Sequence, residues 1–237
     1  TDAVLQIKTG DSSDQGFVGI VASYAPNGTP TLDATSTGAT GAGTPVTWNH
    51  TVTGTNPLLV VAILSLDASS NITSVTYNTV AMTRLGNATR SGSNEKVWYY
   101  YLLNPSTGTN QVAINWSVSG SAIYASSASF TGISTLDNSA TSTPPGSISV
   151  FNQPIQVKTN SSHVVGIWRN SSGAVAGDGT RMLSYSSGAG NGSGIADIIA
   201  NSSTTAPTLL EPQYLLAPFT LFSGTALQDF LSRFDTT

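Results

Sequence analysis

Cysteine is absent from the 237 residues, which removes disulfides, thiolate nucleophiles and cysteine zinc sites together. Charge is scarce as well. Charged residues make up 8% of the chain, with eight Lys and Arg against twelve Asp and Glu and a net charge of −4, where soluble domains ordinarily carry about 25%. So few cations cannot neutralise a run of phosphates, which argues against nucleic acid as a partner. Long apolar runs are missing too: the longest, PLLVVAIL at 57–64, has the length of a strand and not the roughly 18 residues of a membrane-spanning helix. The start, TDAVLQ, has neither a charged-then-apolar leader nor an initiator methionine. The expectation is a processed form, made either by cleavage of a secretory leader or by loss of methionine alone.

What is present is hydroxyl and amide. Ser, Thr, Asn and Gly fill the gaps between short runs rich in Val, Ile, Thr, Tyr and Trp, the pattern of successive strands and turns. Strands are expected near 3–8, 17–24, 31–35, 46–52, 58–66, 72–77, 80–85, 97–103, 111–118 and 123–130. A second series follows at 147–150, 155–158, 163–168, 180–185, 194–199 and 214–222. In VTWNHTV, Val46, Trp48, His50 and Val52 share one face and Thr47, Asn49 and Thr51 the other, so one side is buried and one wet. LLVVAIL is apolar throughout and is expected to sit deepest. One helix is expected, in TALQDFLSRF at 225–234, where Leu227, Phe230, Leu231 and Phe234 recur three and four apart after an N-capping Thr225.

The fold class read from this is all-β: an antiparallel two-sheet β-sandwich of jelly-roll type with a short C-terminal helix. It is organised as an N-terminal strand or arm region at 1–29, a sandwich at 30–224 and a helical tail at 225–237. LLVVAILS followed by AMTRLGNATRSGSN and SFTG is echoed by SHVVGIWR followed by GTRMLSYSSGAGNGSG and LFSG. Either two similar halves fold against each other, with 142–146 as the seam, or strands of like composition simply look alike.

The succession PTLDATSTGATGAGTPVTWNHTVTGTNPLLVVAIL, ITSVTYNTVAMTRLG, VWYYYLLNPSTGTNQVAINWS and ASSASFTGI resembles a β-sandwich module of bacterial surface proteins and phage virion proteins, similar to laminin-G or concanavalin-like jelly rolls. The resemblance spans 30–224 and implies fold and setting, without a catalytic mechanism. Where the family often has two glycines in the opening hairpin, this chain has Asn78-Thr79. A β-branched residue is poor at positive φ, so a longer turn or one of another type is expected there.

Chemistry-bearing residues are few. The two histidines, His50 and His163, both fall in strands, and no HExxH, paired-histidine spacing or GxSxG elbow occurs. Most carboxylates stand in turn contexts such as GDSSDQG, SLDASSN and AGDGT, where Asp caps backbone groups. Asp11 and Asp14 are read as a plain turn in preference to a calcium site, because a full ligand series is lacking. No catalytic residue, cofactor or metal is expected. KVWYYYLL places Trp98 and Tyr100 on one face and Tyr99 and Tyr101 on the other, so an outward pair offers a sugar-stacking platform, unless both faces are covered. Sequons for N-glycosylation stand at Asn27, Asn49, Asn71, Asn87, Asn115, Asn160, Asn170, Asn191 and Asn201. Two segments are candidates for joining copies: the β-prone DAVLQIKTG with Val4, Leu5 and Ile7, either folding back as an edge strand or reaching into a neighbour, and the C-terminal apolar face with Leu227, Phe230 and Leu231.

The functional expectation is a non-catalytic structural or adhesive subunit, outside the cell or on a virion surface, in a phage particle or a cell-surface filament or layer. Its partners are copies of itself or other structural subunits. The alternative is a carbohydrate-binding module with a surface glycan as ligand.

Overall fold

The structure, a computed structural model, describes residues 3–9, 17–41, 43–67, 69–117, 123–143, 150–170, 174–176, 181–188 and 191–200. They contain no helix. The expected C-terminal helix with Leu227, Phe230 and Leu231 lies outside them, as do Asp11 and Asp14.

Among the described residues fifteen strands run in chain order: β1 Ala3–Thr9, β2 Val18–Gly41, β3 Val46–Val52, β4 Leu58–Ser65, β5 Asn71–Tyr77, β6 Val80–Ala81, β7 Thr83–Thr89, β8 Lys96–Leu103, β9 Gly108–Ser117, β10 Ile123–Ser142, β11 Val150–Ile155, β12 Ser162–Asn170, β13 Ala174–Ala176, β14 Arg181–Gly188 and β15 Asn191–Ala200. Every ladder is antiparallel. They form an eight-stranded sheet ordered β14-β15-β12-β2-β10-β4-β8-β7, a four-stranded sheet β3-β9-β5-β6 and a three-stranded sheet β11-β1-β13.

The large sheet folds back on itself. Its central strands β2 and β10 pair along nearly their whole length, with four of the five register shifts between Ser129 and Asn138 of β10 and the fifth between Tyr124 and Ser126, and irregularities of this kind bend strands. The first half of β2 pairs with β12 and the first half of β10 with β4, so each long strand serves both leaves. One leaf is built on β14, β15 and β12, the other on β4, β8 and β7. Between them lies a core drawn from the large sheet alone, including Ile20, Tyr24, Val60, Tyr99, Phe130, Val165 and Ile195. Across this core the Tyr24 hydroxyl donates to that of Tyr99 at 3.1 Å.

Each leaf is covered on its outer face by one small sheet. Leu59, Val61 and Ile63 of β4 and Trp98 and Tyr100 of β8 pack against Val46, Val75, Val112 and Ile114 of the four-stranded sheet. Phe17, Trp168 and Ala196 pack against Leu5, Ile7 and Phe151 of the three-stranded sheet. Two glycines make room for that second contact. A Cβ on Gly19 would stand 2.6 Å from the Phe151 ring, and one on Gly166 would stand 3.0 Å from Leu5. β4 is buried at every position, as expected for LLVVAIL.

Apart from β6, the two halves correspond strand for strand. In the first, the covering strands β3, β9 and β5 sit on the leaf β10-β4-β8-β7; in the second, β11, β1 and β13 sit on β2-β12-β15-β14. β4 therefore matches β12, the pair singled out by the sequence echo. The seam falls between the end of β10 and the start of β11. β1 and β2 occupy the places that β9 and β10 hold in the first half, so the described strands within 1–29 are part of the layers.

At the β5–β6 hairpin the turn is two residues long, and it keeps positive φ at both Asn78 (47°) and Thr79 (65°). The expected longer turn is not formed. The pairing of Tyr77 with Val80 requires the tight, positive-φ geometry, and Thr79 bears it. Thr79→Gly should therefore stabilise the protein by up to about 1 kcal/mol in urea unfolding. Gly132 (φ 71°) and Gly92 (φ 69°) share a left-handed backbone, but a Cβ on Gly132 would meet the Thr29 carbonyl oxygen at 2.6 Å, whereas one on Gly92 meets nothing within 4 Å. Gly132→Ala is expected to cost at least about 2 kcal/mol more than Gly92→Ala. Equal losses would show that the bend does not depend on this close approach.

Candidate functional site

The aromatic strand β8 is covered on both sides. Trp98 and Tyr100 are buried beneath the four-stranded sheet, and Tyr99 is buried between the leaves with Tyr101 packed beside it. Neither pair faces outward, so these side chains form no open stacking platform. The alternation read from the sequence is present; what the strand could not reveal is that a further layer lies over each face.

The densest polar node sits where the four-stranded sheet meets the large one. His50 is 1% exposed, and its Nδ1 lies 2.8 Å from Ser36 Oγ and 3.0 Å from Ser127 Oγ. Ser127 also accepts the Trp48 indole N–H at 3.0 Å. Beside it, Asp33 accepts the Thr53 backbone N–H at 2.8 Å, the Thr53 hydroxyl and the Ser129 hydroxyl at 2.7 Å. Serine, histidine and aspartate are thus neighbours, yet not as a nucleophile, base and orienter in series. Both serines share one ring nitrogen, Nε2 has no hydrogen-bond partner among the described residues, and the carboxylate is engaged by Thr53 and Ser129. Burial drives the His50 pKa down to about 4, against a smaller upward pull from Asp33, so the ring is neutral at pH 7. Burial alone would raise the Asp33 carboxyl, but the Thr53 and Ser129 hydrogen bonds outweigh it and hold the pKa below the usual carboxylate range.

Asp33 has a counterpart. The bends of β2 and β10 carry the same pattern, Gly28-x-x-Thr31-Leu32-Asp33 and Gly132-x-x-Thr135-Leu136-Asp137. Asp137 accepts the Lys158 N–H at 2.8 Å and the Ser23 hydroxyl at 3.3 Å, matching Thr53 and Ser129 at Asp33. The register agrees as well: Ser129 lies opposite Ala34, and Ser23 opposite Asn138. Each carboxylate fastens the residues just past one covering strand, β3 or β11, to the bent pair. The repeated GxxTLD was the signal in the sequence that would have found both.

Two further buried groups tie elements together. His163 Nε2 lies 2.8 Å from Asp197 Oδ2, with the Phe130 ring 4.4 Å away. Glu95 is held between Arg90 and Arg169, which is fully buried, and so links the leaf of β8 to that of β12.

One open cleft, of about 390 Å³, lies between β5, β6 and the β7–β8 edge, lined by Ile72, Ser74, Met82, Arg84 and Tyr100 among others. Burial raises the Tyr100 phenol above its usual range, opposed in part by the charge and hydrogen bond of Arg84.

Of the residues expected to join copies, Leu5 and Ile7 are buried inside this chain and Val4 is 43% exposed. Asn27, Asn49, Asn71, Asn87 and Asn160 are exposed, and Asn115 is half-buried with its amide on Ser74 at 2.9 Å. Asn170 falls in β12 and Asn191 in β15, while Asn201 lies outside the described residues. Among the described residues no group of three or more His, Asp or Glu is placed to hold a metal ion. Compared with protein-family models, with curated proteins and with solved structures, the chain matches none.

The two titrating members of the polar node act in separate pH windows. His50 has a folded pKa below its unfolded value of 6.5, so between about 4 and 6.5 the unfolded chain binds the extra proton and stability rises with pH. The rise amounts to something on the order of 2–3 kcal/mol. His50→Gln should flatten it, read as the difference between variant and parent urea midpoints from pH 4 to 7. The Asp33 contribution is fully present above the unfolded value of 3.8 and is lost as pH falls through the lower folded pKa. Asp33→Asn is therefore expected to weaken the protein at neutral pH and to narrow the gap to the parent in acid.

Proposed function

We propose that the chain is a non-catalytic structural or adhesive subunit of an extracellular assembly, a virion or a cell-surface filament or layer, whose contacts are made by faces of its covering sheets. The observation that carries this reading is the outward face of the four-stranded sheet. Asn49 and Thr51 of β3, Thr109 and Gln111 of β9 and Asn71 and Thr73 of β5 are exposed or nearly so, and Thr51 and Thr109 hydrogen-bond across the ladder at 2.8 Å. A flat face of hydroxyls and amides packs against a neighbour without stranding a charge, because every group on it can be re-paired. The charged groups Glu95, Arg169 and Asp197 are buried in internal bonds.

The jelly-roll assignment belongs to the same proposal. Its support is the way successive strands pass between covering sheet and leaf, β3 to β4, β4 to β5 and β9 to β10, which is the interleaving of a double Greek key. A sugar-binding reading has to rest on the cleft beside Arg84 and Tyr100 and not on the faces of β8.

Assembly through neutral faces is insensitive to screening. In sedimentation the purified chain should form a homo-oligomer that persists from about 0.05 M to about 1 M salt. Asn49→Lys should dissociate it while leaving the β-rich circular dichroism unchanged. A chain that stays monomeric at every concentration, or one that binds a defined glycan saturably with loss on Arg84→Ala, overturns the reading.

A further inference from the structure

The second half of the molecule is completed by a strand from the other end of the chain. β1 is the middle strand of its sheet, paired with β11 on one side and β13 on the other, and its counterpart β9 holds the same middle place between β3 and β5. β9 is threaded there by continuous chain, following β8 and preceding β10. β1 instead meets β11 across some 145 positions, with Ala3 opposite Ile155 and Lys8 opposite Val150. Its slot is built to measure: Leu5 and Ile7 are 1% and 0% exposed, Leu5 seated over Gly166 and both packed with Phe151 and Trp168.

We propose that this slot is a strand-acceptor groove, and that in the assembled state it is filled by β1 of a second copy. The proposal deepens the structural-subunit reading and rests on it. A strand from a neighbour makes the same two ladders and buries the same Leu5 and Ile7, so closed and exchanged forms share these contacts and concentration selects between them. Dilute chains favour their own strand, whose effective concentration is on the order of millimolar. Chains packed side by side in a layer or filament reach that range, and each exchanged strand then fastens one copy to the next by main-chain hydrogen bonds.

Gln6 and Asn152 provide the test, since they lie opposite each other on the outer face and their side chains touch, Gln6 Nε2 to Asn152 Oδ1 at 2.8 Å. The chain has no cysteine to interfere. A chain carrying Gln6→Cys is mixed with one carrying Asn152→Cys, concentrated to assembly and oxidised, and the products are identified by non-reducing gel and peptide mass. Because each chain holds one thiol, exchange gives the disulfide joining the β1 peptide to the β11 peptide in preference to the β1–β1 and β11–β11 disulfides, whereas mere contact between covering-sheet faces gives no such preference. The expected result is that mixed disulfide in assembled material and its loss on dilution before oxidation. A double variant, Gln6→Cys with Asn152→Cys in one chain, controls for geometry: it should close internally when dilute. If the double variant closes while the mixture, assembled or not, never gives the mixed disulfide, exchange is overturned. Oligomers that form without it leave the assembly reading standing and remove only the groove.

Discussion

A single sheet that folds back on itself must bend its two central strands at the same height, and this constraint orders the rest of the molecule. β2 and β10 bend side by side, with Gly28 at φ 111° and Gly132 at φ 71°. The would-be Cβ of Gly28 points at the Cα of Gly132, and that of Gly132 at the carbonyl of Thr29. Neither strand can bend alone, because their ladder continues on both sides of the corner. Once they bend, one face of the sheet closes on itself as a core, and the other becomes two outer faces that still carry Leu, Val, Trp and Phe. Those faces must be covered, and each half supplies its own small sheet.

The polar groups follow from the same geometry. Asp33 and Asp137 stand just past the two bends, where each leaf emerges from the corner, and both take the backbone N–H that follows a covering strand. A carboxylate accepting such bonds holds the cover at one fixed angle, which apolar packing alone does not specify. Glu95 between two arginines and the Tyr24–Tyr99 pair do the equivalent between the leaves. Full burial of Arg169 is tolerable because it is paired, and burial of His50 because the ring is neutral.

Alternation in the sequence was enough to find most of the strands, the depth of β4, the shared face of Val46, His50 and Val52, and the echo between β4 and β12, but it put a break between 150 and 155, where β11 runs unbroken, and missed β13. It failed where a strand did not look like one. β2 read as two pieces, 17–24 and 31–35, because Pro26, Asn27, Gly28 and Pro30 are turn residues; they are the bend of one strand. β10 read as ending at Phe130, ahead of Gly132, for the same reason. The period-two pattern also says which residues share a face without saying what lies over it. Hence the sequence left open whether Trp98 and Tyr100 face a ligand or are covered, and a second sheet covers them. It left open whether Leu5 and Ile7 fold back or reach into a neighbour, and Phe151 and Trp168, far along the chain, receive them here.

That last pairing separates two halves that are otherwise alike. The covering strands of the first half and the leaf beneath them come from one continuous stretch, β3 to β10, so none of its ladders joins residues more than about 70 positions apart, as between Leu58 and Phe130. The second half pairs β12 with β2 and β11 with β1, and neither ladder forms until the chain's early residues return to its late ones. Contacts of such separation close slowly, because loop entropy is lost before any burial compensates it. In the folded chain β1 closes that gap, laying Leu5 and Ile7 against Phe151 and Trp168 from some 145 positions away, and the proposed exchange concerns this one surface because no covering ladder without β1 spans so far.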